Sequence, residues 1–411
     1  MPLVVQKYGG SSVKDAAHIK NVAKRVVKEK RKGNKVVVVV SALGDTTDML
    51  LELAGQITPN PREREMDMLL STGEQVSISL LAMAIHELGE EAVSFTGYQI
   101  GITTDPSHTK ARIVNIDTKR IKAALRKQGI VIVAGFQGKT QDEEITTLGR
   151  GGSDLTAVAL AAALKSSCCE IYTDVDGVFT TDPRIEPAAR KLDTVTYEEM
   201  LELASLGAKV MHSRSIEVAN KYNVPIYVRN SKNNKKGTLI TREDKQMEQV
   251  LLRGIALNKD EAKVTIFSVP DRPGVAAKIF RILAQSNVNV DMIIQNKTVS
   301  NTTDISFTVM KSSLKKILPI VEKAAKVVKA QRVITDENIA KLSVVGIGMS
   351  SHSGVAYKLF NALAEKKINI DMISTSEIKI SCVIKLNKAN EAVRVVHKEF
   401  NLSKKRSKKN R

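Results

Sequence analysis

Fully apolar runs alternate with helix-length amphipathic stretches through the first half of the chain. VVVVVSALG (36–44) is apolar and β-branched before it ends in a loop, and GIVIVAGFQG (129–138) repeats that design. A strand with one wet face alternates polar and apolar positions, so such runs predict strands of a parallel sheet covered on both faces. Leu3-Val4-Val5 predicts a further strand. Helices are predicted over Asp15–Lys32, Ser71–Leu88, Thr118–Gln128, Ser153–Leu164 and Thr196–Ala204. Strand, loop and helix in that order predict an α/β sandwich whose ligands gather where strands leave the sheet at their carboxyl ends.

The pattern changes near Asn230. SKNNKKGT (231–238) is polar and turn-rich, which puts a linker at 231–248 after a first domain of 1–230. Beyond it the chain repeats itself. Gly274-Val275-Ala276, Lys278, Phe280, Leu283 and Ala284 recur as Gly354-Val355-Ala356, Lys358, Phe360, Leu363 and Ala364. Asn289, Asp291-Met292-Ile293 recur as Asn369, Asp371-Met372-Ile373. The offset is constant at roughly 80 residues, so these are two copies of one unit, each reading βαββαβ. The first copy is complete, with strands near 262–269, 288–296, 302–310 and 330–335 and helices over 274–286 and 313–328. The second has strands near 341–348, 368–375 and 378–386 and helices over 354–366 and 389–399, and lacks a sixth element. Residues 250–257, apolar and unpartnered, are expected to supply it. The first module (262–338) would then be inserted into the second (249–258 with 340–402), and 403–411 would be a disordered basic tail.

The net charge of +19 raises the question of nucleic acid. Aromatics are 4% and Trp is absent, so stacking platforms are few, and no zinc-finger or basic-zipper pattern is present. The charge is dispersed over solvated faces and the tail, and no nucleic-acid partner is expected. The chain shows neither a membrane-length apolar run nor a signal-peptide pattern, so no membrane partner is expected. Three cysteines, two of them adjacent, make neither a disulfide framework nor a metal-ligand spacing, which fits a reducing cytoplasm.

Four segments carry chemistry. In Lys7-Tyr8-Gly9-Gly10-Ser11-Ser12 the glycines let backbone N–H groups approach phosphate oxygens and Lys7 supplies a point charge. A structural Gly-Gly turn reads equally from the same residues. Ser71-Thr72-Gly73-Glu74 opens a helix, with Ser71 as N-cap in the plain reading. In Gly149-Arg150-Gly151-Gly152-Ser153-Asp154, Arg150 can fork onto a carboxylate, and Asp154 can take an ammonium or hold a lysine. Tyr172-Thr173-Asp174-Val175-Asp176-Gly177-Val178-Phe179-Thr180-Thr181-Asp182-Pro183-Arg184 is too acidic and turn-rich for a plain connection. A calcium loop is excluded because Pro183 stands where its glutamate should be.

Together these segments closely resemble the amino acid kinase family, and aspartate kinases within it. KYGGSS departs conservatively from the family's usual phenylalanine and threonine; STGE, GRGGSD and YTDVDGVFTTDPR stand essentially intact. The repeats resemble ACT modules. The resemblance implies a three-layer amino acid kinase sandwich followed by two ACT modules, and ATP-dependent phosphorylation of the L-aspartate side chain. It implies that Lys7, Gly9 and Gly10 meet the ATP phosphates, with Ser41 and Thr47 near the aspartate and phosphate pocket. Glu74 would take the substrate ammonium and Arg150 its α-carboxylate, with Asp154 close to both. Thr173, Asp174, Phe179, Asp182 and Arg184 would hold the nucleotide, and Lys209 would add a second phosphate-facing lysine. Mg²⁺ would ride chiefly on ATP, and no residue is assigned as a metal ligand. Asp271, Asn289, Asp291, Gln295, Asn369 and Asp371 resemble effector-contacting positions for lysine, threonine or both, although Asn289 and Asn369 also read as plain turn residues. The expected assembly is a homo-oligomer, or association with a separate regulatory subunit started at Met247, through the ACT modules. Competing readings are a kinase for glutamate or N-acetylglutamate, a silent amino-acid sensor, and a nucleic-acid binder.

Overall fold

The computed structural model describes residues 1–127, 129–206, 210–242, 252–297, 301–349 and 354–403. The chain divides into two compact units: one is Met1–Phe179 with Lys191–Ser205 and Lys209–Lys245, the other Thr180–Arg190 with Leu206–Ala208 and Gln246–Arg411. Lys209, Met247 and the tail from Lys404 lie outside the described residues.

The first unit is built on an eight-stranded sheet. Its order is Thr194–Thr196, Thr238–Thr241, Ile226–Asn230, Cys168–Thr173, Leu3–Tyr8, Lys35–Val40, Ile130–Ala134, Ala92–Phe95. Every pairing is parallel except Ile226–Asn230 with Thr238–Thr241. Val36 to Val40 are wholly buried, which explains their unbroken apolar run. Successive side chains take opposite faces. Val36, Val38 and Val40 pack with Val22 and Val26 of the helix Ala16–Arg31 and with Ile78 and Leu81 of the helix Thr72–His86. The helices Gly152–Leu164 and Ser213–Tyr222 pack on one another, and the first of them lies against the strand Leu3–Tyr8.

The predicted helices form within two residues of their expected ends, but three others carried no strong sequence signal: Thr46–Ile57, Glu63–Leu70 and Ser213–Tyr222. A small sheet, Ile113–Ile116, Ile102–Thr104, Gln137–Lys139, Ile145–Thr147, was also not evident. Its strands are three or four residues long, too short for a readable alternation. Ser71 is not an N-cap. It joins two helices in helical geometry, and its hydroxyl donates to Met68 O (2.9 Å). The helical stretch Glu63–His86 is long and apolar enough to cross a membrane by composition, but half of its most apolar window is buried inside the protein. It also carries buried Asp67 and Glu74, so it reads as a core helix.

The second unit has one six-stranded antiparallel sheet: Ile293–Lys297, Thr302–Val309, Gly254–Pro270, Arg332–Val345, Lys379–Lys385, Ile370–Thr375. The eight expected strands become six because residues expected as separate strands run on as single ones, Gly254–Pro270 and Arg332–Val345. The polar stretch at 258–263 looks like a turn in sequence, yet irregular pairings at Asn258/Glu261 and Glu261/Lys263 keep its backbone in the ladder. Gly254–Asn258 pairs with Lys341–Val345, while Ala262–Pro270 pairs with Thr302–Val309. Two cores result. Ala262, Val264, Leu283, Phe307 and Val321 form one, and Leu342, Val344, Leu363, Cys382 and Val393 the other. The segment Thr180–Arg190 belongs to this unit through three bonds. Ile255 N donates to Thr180 O (2.7 Å), Thr180 Oγ1 lies 2.9 Å from His397 Nε2, and Arg394 Nε donates to Ile185 O (3.0 Å).

A polar column crosses one face of the first unit's sheet. Glu170 accepts from Gln6 Nε2 (2.9 Å) and from the Tyr172 hydroxyl (3.0 Å), and it pairs with Arg229 (3.1 Å). The Tyr8 hydroxyl donates to Gln6 Oε1 (3.1 Å), and its ring stacks on Tyr172 at 4.7 Å. Glu170 is thus the shared acceptor of three donors. Glu170→Ala is expected to cost about 3–5 kcal/mol in chemical denaturation because it strands a partly buried arginine. Tyr172→Phe, which removes one bond, is expected to cost about 1 kcal/mol. Equal losses would show that Glu170 is not the hub.

Candidate active site

Three adjacent parallel strands carry candidate residues to one edge of the sheet. Lys7 sits next to the end of Leu3–Tyr8, Ser41 follows Lys35–Val40, and Thr173 ends Cys168–Thr173. Their loops are tied together by backbone bonds. Ser41 N donates to Tyr8 O (3.1 Å), Gly9 N to Tyr172 O (3.4 Å) and Gly135 N to Val40 O (3.0 Å). Gly10 is required by contact: a Cβ there would lie 2.9 Å from Gly44 O and 3.0 Å from Ala42 O. The two loops therefore meet backbone to backbone, and Gly44 N donates to Gly10 O (3.2 Å). Such a glycine-rich edge leaves backbone donors open to an anion.

Lys7 Nζ lies 2.6 Å from Asp154 Oδ1, with the two side chains 13% and 11% exposed. Of the two roles open to Asp154 in the sequence, it holds the lysine. Asp154 stands in the first turn of Gly152–Leu164, where the helix N-terminus favours a carboxylate. That helix starts abruptly because Gly151 is left-handed (φ 73°) and a Cβ on it would lie 2.3 Å from His212 Cβ. Arg150 is exposed on the turn just before.

Glu74 is buried, at 3% exposed, and its Oε1 accepts from Ala42 N (3.1 Å) while its Oε2 has no protein partner. Burial pushes its carboxyl up to about 8, against a lowering from the Ala42 N–H. A buried carboxylate with one unused oxygen suits a cationic ligand, whose charge would offset the desolvation. Thr47 lies in the first turn of Thr46–Ile57, half-buried.

The acidic segment after Thr173 separates into parts with different work. Asp174 O accepts from Asn230 Nδ2 (3.3 Å). Asp176 is structural. It binds Lys235 Nζ (2.8 Å), Asn233 Nδ2 (2.8 Å) and Asn230 Nδ2 (2.7 Å), and Lys235 first among these holds its carboxyl down at about 2. Phe179 bridges to Lys191. Asp182 and Arg184 belong to the second unit, where Arg184 Nε (3.0 Å) and Nη2 (2.8 Å) bind the Asp182 carboxylate.

Three residues without a sequence signal support the site. Asp67, fully buried, accepts from Thr109 N (3.0 Å) and Thr147 Oγ1 (2.5 Å) and lies 2.7 Å from His108 Nδ1. Arg214 donates to Leu148 O (2.7 Å) and Ala111 O (2.8 Å), fixing the strand end from which Gly149-Arg150 springs. His212 packs on Gly151, and burial is the first cause lowering its imidazole.

In the second unit, Lys341 is buried and pairs with Glu261 (2.8 Å) and with Asp291. Asp371 faces Lys263 (3.8 Å) and Lys385 (4.0 Å). Asn289, Gln295 and Asn369 are exposed, and Asp271 N donates to Asn301 O (3.0 Å).

The amino acid kinase family model matches residues 2–230, and ACT domain models match 263–326 and 342–400. The chain is 54% identical over 403 residues to an aspartate kinase of Pseudomonas putida, covering 98% of each. It is 51% identical over 407 residues to an aspartokinase of Corynebacterium glutamicum, covering 98% of this chain and 97% of that one. Among solved structures it is similar to E. coli aspartokinase III in complex with aspartate and ADP, with a TM-score of 0.78 and 27% identity, covering 97% of this chain and 99% of that one. The same enzyme in complex with lysine and aspartate gives a TM-score of 0.75 at 26% identity, again covering 97% and 99%. With its strand-edge glycines, its paired Lys7 and Asp154 and its two ACT domains, the chain belongs to the amino acid kinase family, in the aspartate kinase branch.

Proposed function

We propose that this chain transfers the γ-phosphoryl group of ATP to the side-chain carboxylate of L-aspartate, forming 4-phospho-L-aspartate. This is the step that opens lysine, threonine and methionine biosynthesis, and end-product amino acids would regulate it. The observation that carries the reading is Lys7, held by Asp154 at a glycine-rich strand edge, in a chain similar throughout to an enzyme solved with aspartate and ADP. A cytoplasmic location goes with this reading.

The chemical problem is repulsion between a carboxylate and a polyanionic phosphoryl donor. Lys7 and the loop N–H groups after it would offset that charge, and Lys209 would add a second cation. Mg²⁺ would arrive on the ATP phosphates and supply further neutralisation there. Glu74 would hold the substrate ammonium and Arg150 its α-carboxylate, with Ser41 and Thr47 beside the phosphate path. Thr173, Asp174, Phe179, Asp182 and Arg184 would hold the nucleotide. An ionised carboxylate has no proton to lose, so positioning and electrostatics suffice without a general base.

The proposed module arrangement inserts 262–338 into a second module made of 249–258 and 340–402, and the pairing of Gly254–Asn258 with Lys341–Val345 supports it. Asp271, Asn289, Asp291, Gln295, Asn369 and Asp371 are proposed as effector contacts for lysine, threonine or both. Side-by-side packing of ACT modules would form the oligomer, or join the chain to a separate regulatory subunit.

ADP release with aspartate and none with glutamate is the expected result of a coupled assay, and the reverse preference would reject the reading. Lys7→Ala is expected to lower kcat about 10²–10³-fold with aspartate KM nearly unchanged, because its target charge moves during transfer. Arg150→Ala is expected to raise aspartate KM about 10-fold or more, with a smaller change in kcat. A Lys7→Ala enzyme within a few-fold of the parent would remove Lys7 from the chemistry.

Burial raises the Glu74 carboxyl to about 8, so the free protein holds a proton there at pH 7 that the unfolded chain has lost. The folded state binds more protons between the ordinary glutamate range and about 8. This group's contribution therefore destabilises increasingly as pH rises through that window. An aspartate ammonium beside Glu74 would reverse the bias and expel the proton. Calorimetry at pH 7 in buffers of different ionisation enthalpy is expected to show up to one proton released on aspartate binding, and none for Glu74→Gln. Equal release from both proteins would exclude the contact.

Asp291→Ala is expected to relieve feedback inhibition with uninhibited turnover near normal. Glu261 remains to pair with the buried Lys341, so the variant does not leave that charge alone. Inhibition curves of the variant that overlay the parent's would refute the effector assignment.

A further inference from the structure

Alternation along Leu3–Tyr8 commits Lys7 to the face where Asp154 lies, and Gln6 and Tyr8 to the other face, with Glu170 and Tyr172. On that other face, between the helix Ala16–Arg31 and the loop 231–235, lies a cavity of about 700 Å³. This is the size of sites that take small molecules. Its lining carries seven Lys or Arg side chains against two acids, Glu29 and Glu170. Three of the cations are matched: Lys32 by Glu29 (2.7 Å), Arg229 by Glu170 (3.1 Å) and Lys235 by Asp176 (2.8 Å). Among the described residues Arg25 has neutral partners, Asn234 Oδ1 (3.1 Å), Ser231 O (3.2 Å), Asn233 O (2.9 Å) and the Tyr172 ring (4.9 Å). Among the described residues, Lys24, Lys28 and Lys232 have no carboxylate partner.

Two polar atoms of the lining are buried without a hydrogen-bond partner: the Ser12 hydroxyl, on a side chain of a residue only 2% exposed, and Arg229 Nε. Leaving such donors unmatched is costly, and a ligand rich in acceptor oxygens would match both. The uncompensated cations stand on both walls, Lys24 and Lys28 one helical turn apart and Lys232 on the loop. A single carboxylate brings one negative charge against these cations, whereas a phosphate group brings more charge and more acceptor oxygens. We propose that this cavity is a second anion site that binds a phosphorylated small molecule. It lies on the opposite side of the sheet from the Lys7 face and is no part of the kinase reading.

The test is calorimetric titration of sodium tripolyphosphate into the full-length protein, into Lys7→Ala and into the double variant Lys24→Ala/Lys28→Ala. Both lysines of the double variant are exposed, so folding is expected to be unaffected, and circular dichroism checks this. The parent is expected to bind two equivalents per chain. Lys7→Ala is expected to keep the cavity equivalent, and the double variant to weaken that equivalent at least tenfold while keeping the other. Undiminished binding in the double variant would overturn the proposal. So would a short oligonucleotide that binds through Lys24 and Lys28 where tripolyphosphate does not, since that marks a nucleic-acid surface. If Lys7→Ala binds as the parent does, the ATP assignment of Lys7 fails and the cavity proposal is still decided by the double variant.

Discussion

The strand Leu3–Tyr8 is hydrogen-bonded on both edges, to Lys35–Val40 and to Cys168–Thr173. Neither its register nor its facing can slip without moving buried valines into the wrong layer. Lys7 is thereby committed to one face and Gln6 and Tyr8 to the other. Asp154 can reach Lys7 only because the helix Gly152–Leu164 covers the first face. The polar column through Glu170 exists because Ala16–Arg31 covers the second, its Arg25 lying 4.9 Å over the Tyr172 ring. The placement of one strand thus decides which charges meet and which remain apart.

Charge burial is the recurring cost of this arrangement. Glu74, Asp154, Glu170 and Lys341 are each less than 9% exposed. An ion removed from water is tolerated when a partner is close and its remaining hydrogen-bonding capacity is used. Asp154 has Lys7, Glu170 has three donors, and Lys341 has two carboxylates. Glu74 differs, since one oxygen is left over and burial raises its carboxyl. A buried carboxylate oxygen with no protein partner is open to a ligand that can supply the missing donor. Under the proposed function that leftover oxygen makes Glu74 the candidate contact for the substrate ammonium, whereas Asp67 is already engaged by Thr109, Thr147 and His108.

The second unit shows how a repeat can become one object. Each copy brings its own helices and core, but two long strands run through both, so the sheet is continuous from Ile293–Lys297 to Ile370–Thr375. The segment Thr180–Arg190, which contains Asp182 and Arg184, is packed within this unit through Thr180, Ile185 and their partners Ile255, His397 and Arg394.

Local pattern by itself determined the covered parallel strands, five of the helices and the repeat, because an unbroken apolar run or a 3.6-residue stripe needs no partner to be recognised. It also marked the glycine-rich loops and the candidate charges at Lys7, Glu74, Arg150 and Asp154, although each segment by itself also reads as a plain turn or helix start and only the four together carried the family resemblance. Tertiary structure alone decided which charges pair. Asp154 could have faced a ligand or a lysine, and it faces Lys7. Asp176, in a segment too acidic for a plain connection, clamps the loop at 230–235. Ser71 had the look of a cap and joins two helices. Asp67 and Arg214 were unreadable because their partners, Thr147 and Leu148, lie far along the chain. The fusion of strands across 258–263 was hidden for a related reason. Polar residues signal a turn, and only the neighbouring strands show that their backbone stays paired. Composition and spacing report what a segment can do by itself; the choice among possible partners is made by packing.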